Sequence, residues 1–417
     1  MRRCGAHADA HSGQHLSDTP QQAAAPGMRQ VMPFAALSAV YCAHGALMNP
    51  FLPLWLKSLG LSLVTISVLT SIQAATRMFA PYAWGALSDR TGERARLMQW
   101  GAGLALIASG GLWWNGGFWW LGLVLLIVYL QTSGMMPMTE AAVAHVVSRG
   151  GVFDTKLYGR VRLWGSLGFM VAVMAAGAWY EHVGMASFPL IVSLSLLALL
   201  VFAFRMPDVK EQHADVQSIS TPILPVLAQP VVGWFFASAF FHILSHMGIY
   251  SFFSLYLDSL GYSKTMIGVL WAVSVTVEIG WFFTQSRWMP WLSLSGWLVL
   301  CAGVMALRMG VTASMASVLW LLAVMQALHA LTFAAHHSAC IALVSHHFPG
   351  SLRGRGQAIY TVIGYGVPGV IGGLAGGQLS TSWGLQSVFW ATAGVAVCAL
   401  LCAMQVWRLN HRMPRPA

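Results

Sequence analysis

Seven side chains able to bind ions or move protons stand in stretches that are otherwise apolar: Arg77, Glu140, Arg162, His246, Glu278, His329 and His337. An imidazole titrates near pH 6.5 and suits proton transfer. A guanidinium presents a planar fork of donors that fits a carboxylate. Charged groups at the centre of a bilayer cost about 2.5–3.5 kcal/mol each on insertion scales, so they persist where they are paired or used. Arg77, Glu140 and Glu278 are therefore expected to serve a solute or a proton, and pairing between Arg77 and Glu140 would satisfy both. His44 and His242 reach the same depth, and a lone histidine such as His44 is read as hydrogen-bonded packing.

The elements that must hold these residues follow from composition. The chain has 417 residues, 57% hydrophobic and 8% charged, where a soluble domain carries about 25% charged residues. A helix crosses hydrocarbon in about 20 apolar residues. Twelve such runs are legible, near 31–56, 62–87, 97–115, 118–147, 161–182, 185–205, 229–257, 264–286, 291–310, 314–345, 357–380 and 383–407. The fold class expected is an all-α membrane protein with twelve transmembrane helices. The longest polar interruption divides them six and six. The organisation expected is a disordered cytoplasmic tail over 1–28, a half over 29–205, a linker over 206–230, a half over 231–407 and a tail over 408–417. Residues 1–28 hold no apolar core resembling a signal peptide.

Charge orients the bundle. With the N-terminus in the cytoplasm, 18 of the 22 Lys and Arg fall on inner segments, and outer breaks hold only Lys57, Lys264 and Arg308. This is the positive-inside pattern, with both termini cytoplasmic. The net charge of +10 then records topology, and no basic run or motif points to nucleic acid. Four Trp around Asn115 read as an interfacial belt. The six cysteines lack zinc or CxxC spacing and are expected as free thiols. His329, His336, His337, His346 and His347 spread along about 27 Å of helix at 1.5 Å per residue, which disfavours a metal centre. No metal or other cofactor is expected.

YGRVRLWGSLGF, Tyr158 to Phe169, sets Arg160 and Arg162 at the mouth of the fifth run. With NPFLPLWLKSLGLS, AATRMFAP, VTVEIGWF, LHALTFAAHH and GQAIY, it resembles the phenylpropionate permease family of the major facilitator superfamily. The resemblance runs from about Val31 to Trp407 and extends more distantly to lactose permease-type proton symporters. It implies solute binding by Arg77, Glu140, Arg162 and His246, proton coupling by Glu278, His329 and His337, an anchoring role for Arg160, and a monomer. GALSDRTGERARL resembles the superfamily's loop signature, matched by Gly85, Asp89, Arg90, Gly92 and Arg94. It implies a conformational latch whose glycines let helix 2 pack closely and the loop turn. One departure stands out: lactose permease-type symporters carry Lys and Glu three residues either side of the helix 10 histidine. Here those positions are Gln326 and Thr332, so the proton falls to Glu278 with His329.

The function expected is alternating-access, proton-coupled symport of a small organic acid such as an aryl-propionate, in a bacterial inner membrane. Its partners are the small-molecule solute, protons and the lipid bilayer. A neutral sugar or nucleoside is the alternative solute, since Glu140 opposite Arg162 also suits hydroxyls. A histidine-metal membrane enzyme and a non-transporting sensor are the rivals from other classes. The sequence carries no ATP-binding motif and no signalling domain.

Overall fold

The computed structural model describes residues 28–148, 154–207 and 222–412. Residues 1–27, 149–153, 208–221 and 413–417, and what was expected of the tails and linker there, lie outside the described residues. Among the described residues, eleven helices are long and apolar enough to cross a membrane. With one shorter helix, α3, the order is α1 (Met28–Ser58), α2 (Leu63–Thr91), α3 (Arg94–Ser109), α4 (Gly117–Val147), α5 (Leu157–Val183) and α6 (Met185–Phe204). The second six are α7 (Pro230–Ser259), α8 (Lys264–Trp291), α9 (Leu294–Met315), α10 (Leu319–His347), α11 (Arg353–Trp383) and α12 (Leu385–His411). The α3 helix has 16 residues and continues through a 3-10 turn, Gly110–Trp113. Together they span about 32 Å, a full crossing. The result is two six-helix halves.

Within the first half α1 packs on α5 and α6, and α3 on α4 and α6; within the second, α12 packs on α7 and α9. The halves meet along α5 with α8 and along α2 with α11. Glycine makes these seams close. A Cβ on Gly268 would stand 2.6 Å from the Val173 carbonyl oxygen, and one on Gly177 would stand 2.6 Å from that of Lys264. On the other seam Gly377 faces the Ser67 hydroxyl and Gly373 that of Ser71.

The two halves repeat a corner. LWLKSLGLS, Leu54 to Ser62, ends α1 and caps α2, while LYLDSLGYS, Leu255 to Ser263, ends α7 and caps α8. Gly60 and Gly261 take φ of 81° and 83°, which only glycine adopts without strain. Ser62 accepts from Thr65 N at 3.2 Å and Ser263 from Met266 N at 3.1 Å, so each hydroxyl satisfies one of the open donors at its helix start. Ser58 and Ser259 each donate to the carbonyl three residues back at 2.7 Å.

Several spans are broken near mid-depth. The α2 helix is interrupted at Met78–Phe79, directly after Arg77. The α4 helix is interrupted at Gly134, where a Cβ would meet Trp84 of α2 at 2.5 Å. Among the described residues there are three π turns, Gly248–Phe252 in α7, Ala330–Ala335 in α10 and Val362–Gly366 in α11, all in the second half. Such turns loosen the regular ladder and recur at functional sites.

The glycine seams are testable. Gly268→Val should destabilise this arrangement by about 1–3 kcal/mol through overpacking. Gly303→Ala, where nothing lies within 4 Å of the added carbon, should leave the melting temperature of the purified protein unchanged.

Candidate functional site

The α2 break leaves Arg77 exposed between the halves. Its charge acts on Tyr41 and Tyr129 of the first half and on Tyr250 and Tyr365 of the second, and no ion pair to it occurs among the described residues. The expected pairing of Arg77 with Glu140 is not formed. Glu140 Oε1 instead accepts from Arg162 Nη1 at 2.9 Å, with the side chains 38% and 51% exposed. Arg162 is the nearer partner because α4 and α5 are neighbours in the first half, and Tyr158, one turn earlier on α5, also bonds it. Glu140 and Arg162 therefore form a solvent-accessible, neutral, two-sided polar group, while Arg77 remains an uncompensated cation.

In the second half, Glu278 Oε2 lies 3.4 Å from His329 Nε2, with the two side chains 19% and 8% exposed. Behind this pair is a residue that sequence reasoning misplaced. Arg308, assigned to an outer break, is fully buried inside α9. The helix runs on to Met315 because the Gly310 region, taken as a break, stays helical. Arg308 Nη1 donates to Thr332 Oγ1 at 2.9 Å and approaches His329 Nδ1 at 3.4 Å, and its Nη2 donates to Gln326 Oε1. These are the two positions that depart from the lactose permease pattern, and both serve as neutral acceptors for one buried cation. Since a guanidinium only donates, His329 Nδ1 must present a lone pair. The hydrogen of the neutral ring is then on Nε2, facing Glu278. A readable signal existed: an arginine inside an apolar run.

The other histidines separate. His337, half-buried, meets the Tyr365 hydroxyl at 3.0 Å through Nδ1 and feels the charges of Arg162 and Glu278. His44 bonds Ser195 at 2.9 Å, as packing. His246, expected to touch solute, is fully buried, stacked on Tyr250 at 5.1 Å, and neither ring nitrogen has a protein partner. In this state Tyr250 stacks on its ring and His329 meets it in a T-shaped contact, which keeps it from the exposed side chains of the first half. His242 lies flat on His336 with centroids 3.6 Å apart. No group of three His, Cys, Asp or Glu among the described residues has the geometry to hold a metal ion.

The loop signature is locally built. Gly92, at φ 66°, ends α2. Arg94 Nη2 stands 3.8 Å from Asp89 Oδ1, and its Nε donates to Ser88 Oγ at 3.1 Å. Arg90 is exposed. Gly85 was expected to permit close packing, but nothing lies within 4 Å of a Cβ placed there. Its side of α2 faces open space in this state.

The model of the MFS_1 like family matches residues 35–391. A probable 3-phenylpropionic acid transporter of Escherichia coli is 29% identical over 365 residues, covering 86% of this chain and 93% of that one. The maltose permease of Geobacillus stearothermophilus is 25% identical over 354 residues, covering 84% and 87%. Among solved structures, the nucleoside transporter NupG superposes with a TM-score of 0.79 at 14% identity, covering 90% of this chain and 98% of that one. A POT family transporter in complex with 5-aminolevulinic acid gives 0.74 at 9% identity, covering 95% and 99%. A fold of two six-helix halves, with ionisable groups between them and a family match over most of its length, places the chain in the MFS_1 like family, as a multi-pass membrane transporter of the major facilitator type and not an enzyme.

Proposed function

We propose that this transporter carries a small organic acid, an aryl-propionate being the leading candidate, together with protons, by alternating exposure of the space between its halves. The observation that carries the reading is Arg77: an exposed cation at a helix break, without an ion-pair partner among the described residues, with tyrosines of both halves around it. A carboxylate would complete this site. The name of the Escherichia coli relative supports the solute class. Arg162 and Glu140 flank the same space and would order the solute's polar end. Glu278 is the proton carrier in this reading, because His329 is committed through Nδ1 to Arg308 and presents a fixed Nε2–H. His337 joins Glu278 to the first half electrostatically. His246 would reach solute only after Tyr250 moves. The loop over Gly85, Asp89, Arg90, Gly92 and Arg94 would act as the latch between states. The excess of Lys and Arg on alternate loops supports a reading with both termini and the 206–230 linker on the cytoplasmic side of a bacterial inner membrane and one chain as the working unit.

A second reading has its own support. The Glu140–Arg162 pair offers donors and an acceptor together, which suits the hydroxyls of a neutral sugar, and maltose permease is among the relatives.

Purified protein in liposomes decides between them. Under an inside-alkaline gradient, accumulation of labelled 3-phenylpropionate is expected, with maltose inert; the reverse would establish the neutral solute. Arg77→Gln removes a charge-assisted contact of about 1.5–3 kcal/mol, so the apparent KM for the acid should rise roughly 10- to 100-fold. Glu278→Gln should abolish gradient-driven accumulation while solute exchange between equal compartments continues. Accumulation that survives in Glu278→Gln would remove the carrier role.

A further inference from the structure

The positive-inside pattern empties one end of the bundle of cations, yet two of its lysines converge there on one aspartate. Lys57 Nζ meets Asp258 Oδ2 at 2.8 Å, and Lys264 Nζ meets Asp258 Oδ1 at 2.9 Å. Beside them the Glu181 carboxylate accepts the Lys264 backbone N–H at 2.6 Å. Lys57 and Glu181 belong to the first half, Asp258 and Lys264 to the second. Both the Lys57–Asp258 and the Glu181–Lys264 contacts therefore bridge the halves, the first between the ends of α1 and α7 and the second at the end of the α5–α8 glycine seam.

The repeated corner shows why the charges meet. Lys57 and Asp258 occupy the same place in LWLKSLGLS and LYLDSLGYS, which are identical at six of nine positions. Each residue precedes a Ser-Leu-Gly turn of the same geometry, so the near two-fold arrangement of the halves brings the two positions face to face. Opposite charges stand where the repeat would otherwise put like ones. At the far end of the bundle, by contrast, Arg162 and Glu140 are solvent-accessible. A transporter of this architecture must part the halves first at one end, then at the other.

We propose that Lys57 and Asp258, supported by Lys264 and Glu181, are positioning residues that set how often the bundle is closed at this end. Breaking the pair shifts the population toward the state open here, without unfolding either half. The contact is partly exposed, so its effect is graded and weakened by salt.

The test uses Ser67→Cys, whose side chain is 2% exposed and lies on the seam against Gly377. Maleimide labelling of the purified protein is followed by mass spectrometry on the peptide between Lys57 and Arg77, which isolates this cysteine from the native ones; in variants lacking Lys57, a peptide of other limits serves. Lys57→Gln and Asp258→Asn should each speed labelling about two- to fivefold, the range of exposed ion pairs. Lys57→Arg should stay slow, and Lys264→Gln, which leaves the bridging pair intact, should fall between. Added salt should speed the parent and leave Lys57→Gln nearly unmoved. Unchanged labelling in Lys57→Gln and Asp258→Asn with unchanged melting temperature would overturn the proposal, as would equal acceleration by Lys57→Arg. Labelling needs no solute or gradient, so the outcome is independent of the transported substrate.

Discussion

Moving a charge out of water governs the arrangement of this bundle. In an apolar medium a charge needs a partner, a set of dipoles or a water-filled space, and each of the three solutions appears. Arg308 is held by dipoles, in the amide of Gln326, the hydroxyl of Thr332 and the ring of His329. Glu140 and Arg162 hold each other, and Glu278 has His329. Arg77 alone of the cavity cations depends on the space between the halves, because the α2 break turns it outward. The helices are thus packed around a short list of charge placements, of which Arg77 is the one without a charged partner among the described residues.

Much of this was legible before any coordinates. Span number followed from run length, because hydrocarbon thickness fixes helix length. The sequence put Glu140 and Arg162 on neighbouring helices and grouped Glu278 with His329, and both pairs lie in contact, but it also allowed Glu140 to Arg77, which is not formed. Depth along a helix is readable from sequence; rotation about its axis is not. His246 and Arg77 reach similar depths, yet one points into its own half and the other into the cavity. Arg308 was misplaced for a different reason. Glycine was taken as a helix end, whereas in apolar surroundings the cost of unpaired backbone keeps a helix running through glycine. The corner repeat stood in plain letters and becomes meaningful once its copies are seen facing each other.

The halves depart from regular helix in different ways. All three π turns lie in the second half, at α7, α10 and α11, near His246, His329 and Tyr365. Each gives up regular hydrogen bonding where a polar side chain must be aimed. The first half instead interrupts α2 and α4 outright, at Phe79 and Gly134, with Trp84 of α2 filling the glycine gap in α4 and donating to the Leu130 carbonyl at 2.8 Å. Arg77 and Glu140 thus sit beside helix interruptions, and His329 follows a turn at Leu328 that leads into a π turn.

The paired corners carry a consequence for how such a chain assembles. If both copies of the motif kept lysine, or both kept aspartate, the two surfaces would repel at close contact; one of each makes them attract. The attraction favours the pairing of unlike halves over that of like ones, by the small amount that a partly exposed ion pair supplies. In a bundle built from near-duplicate parts, a single difference between two matching positions thus sets the sign of the force between them.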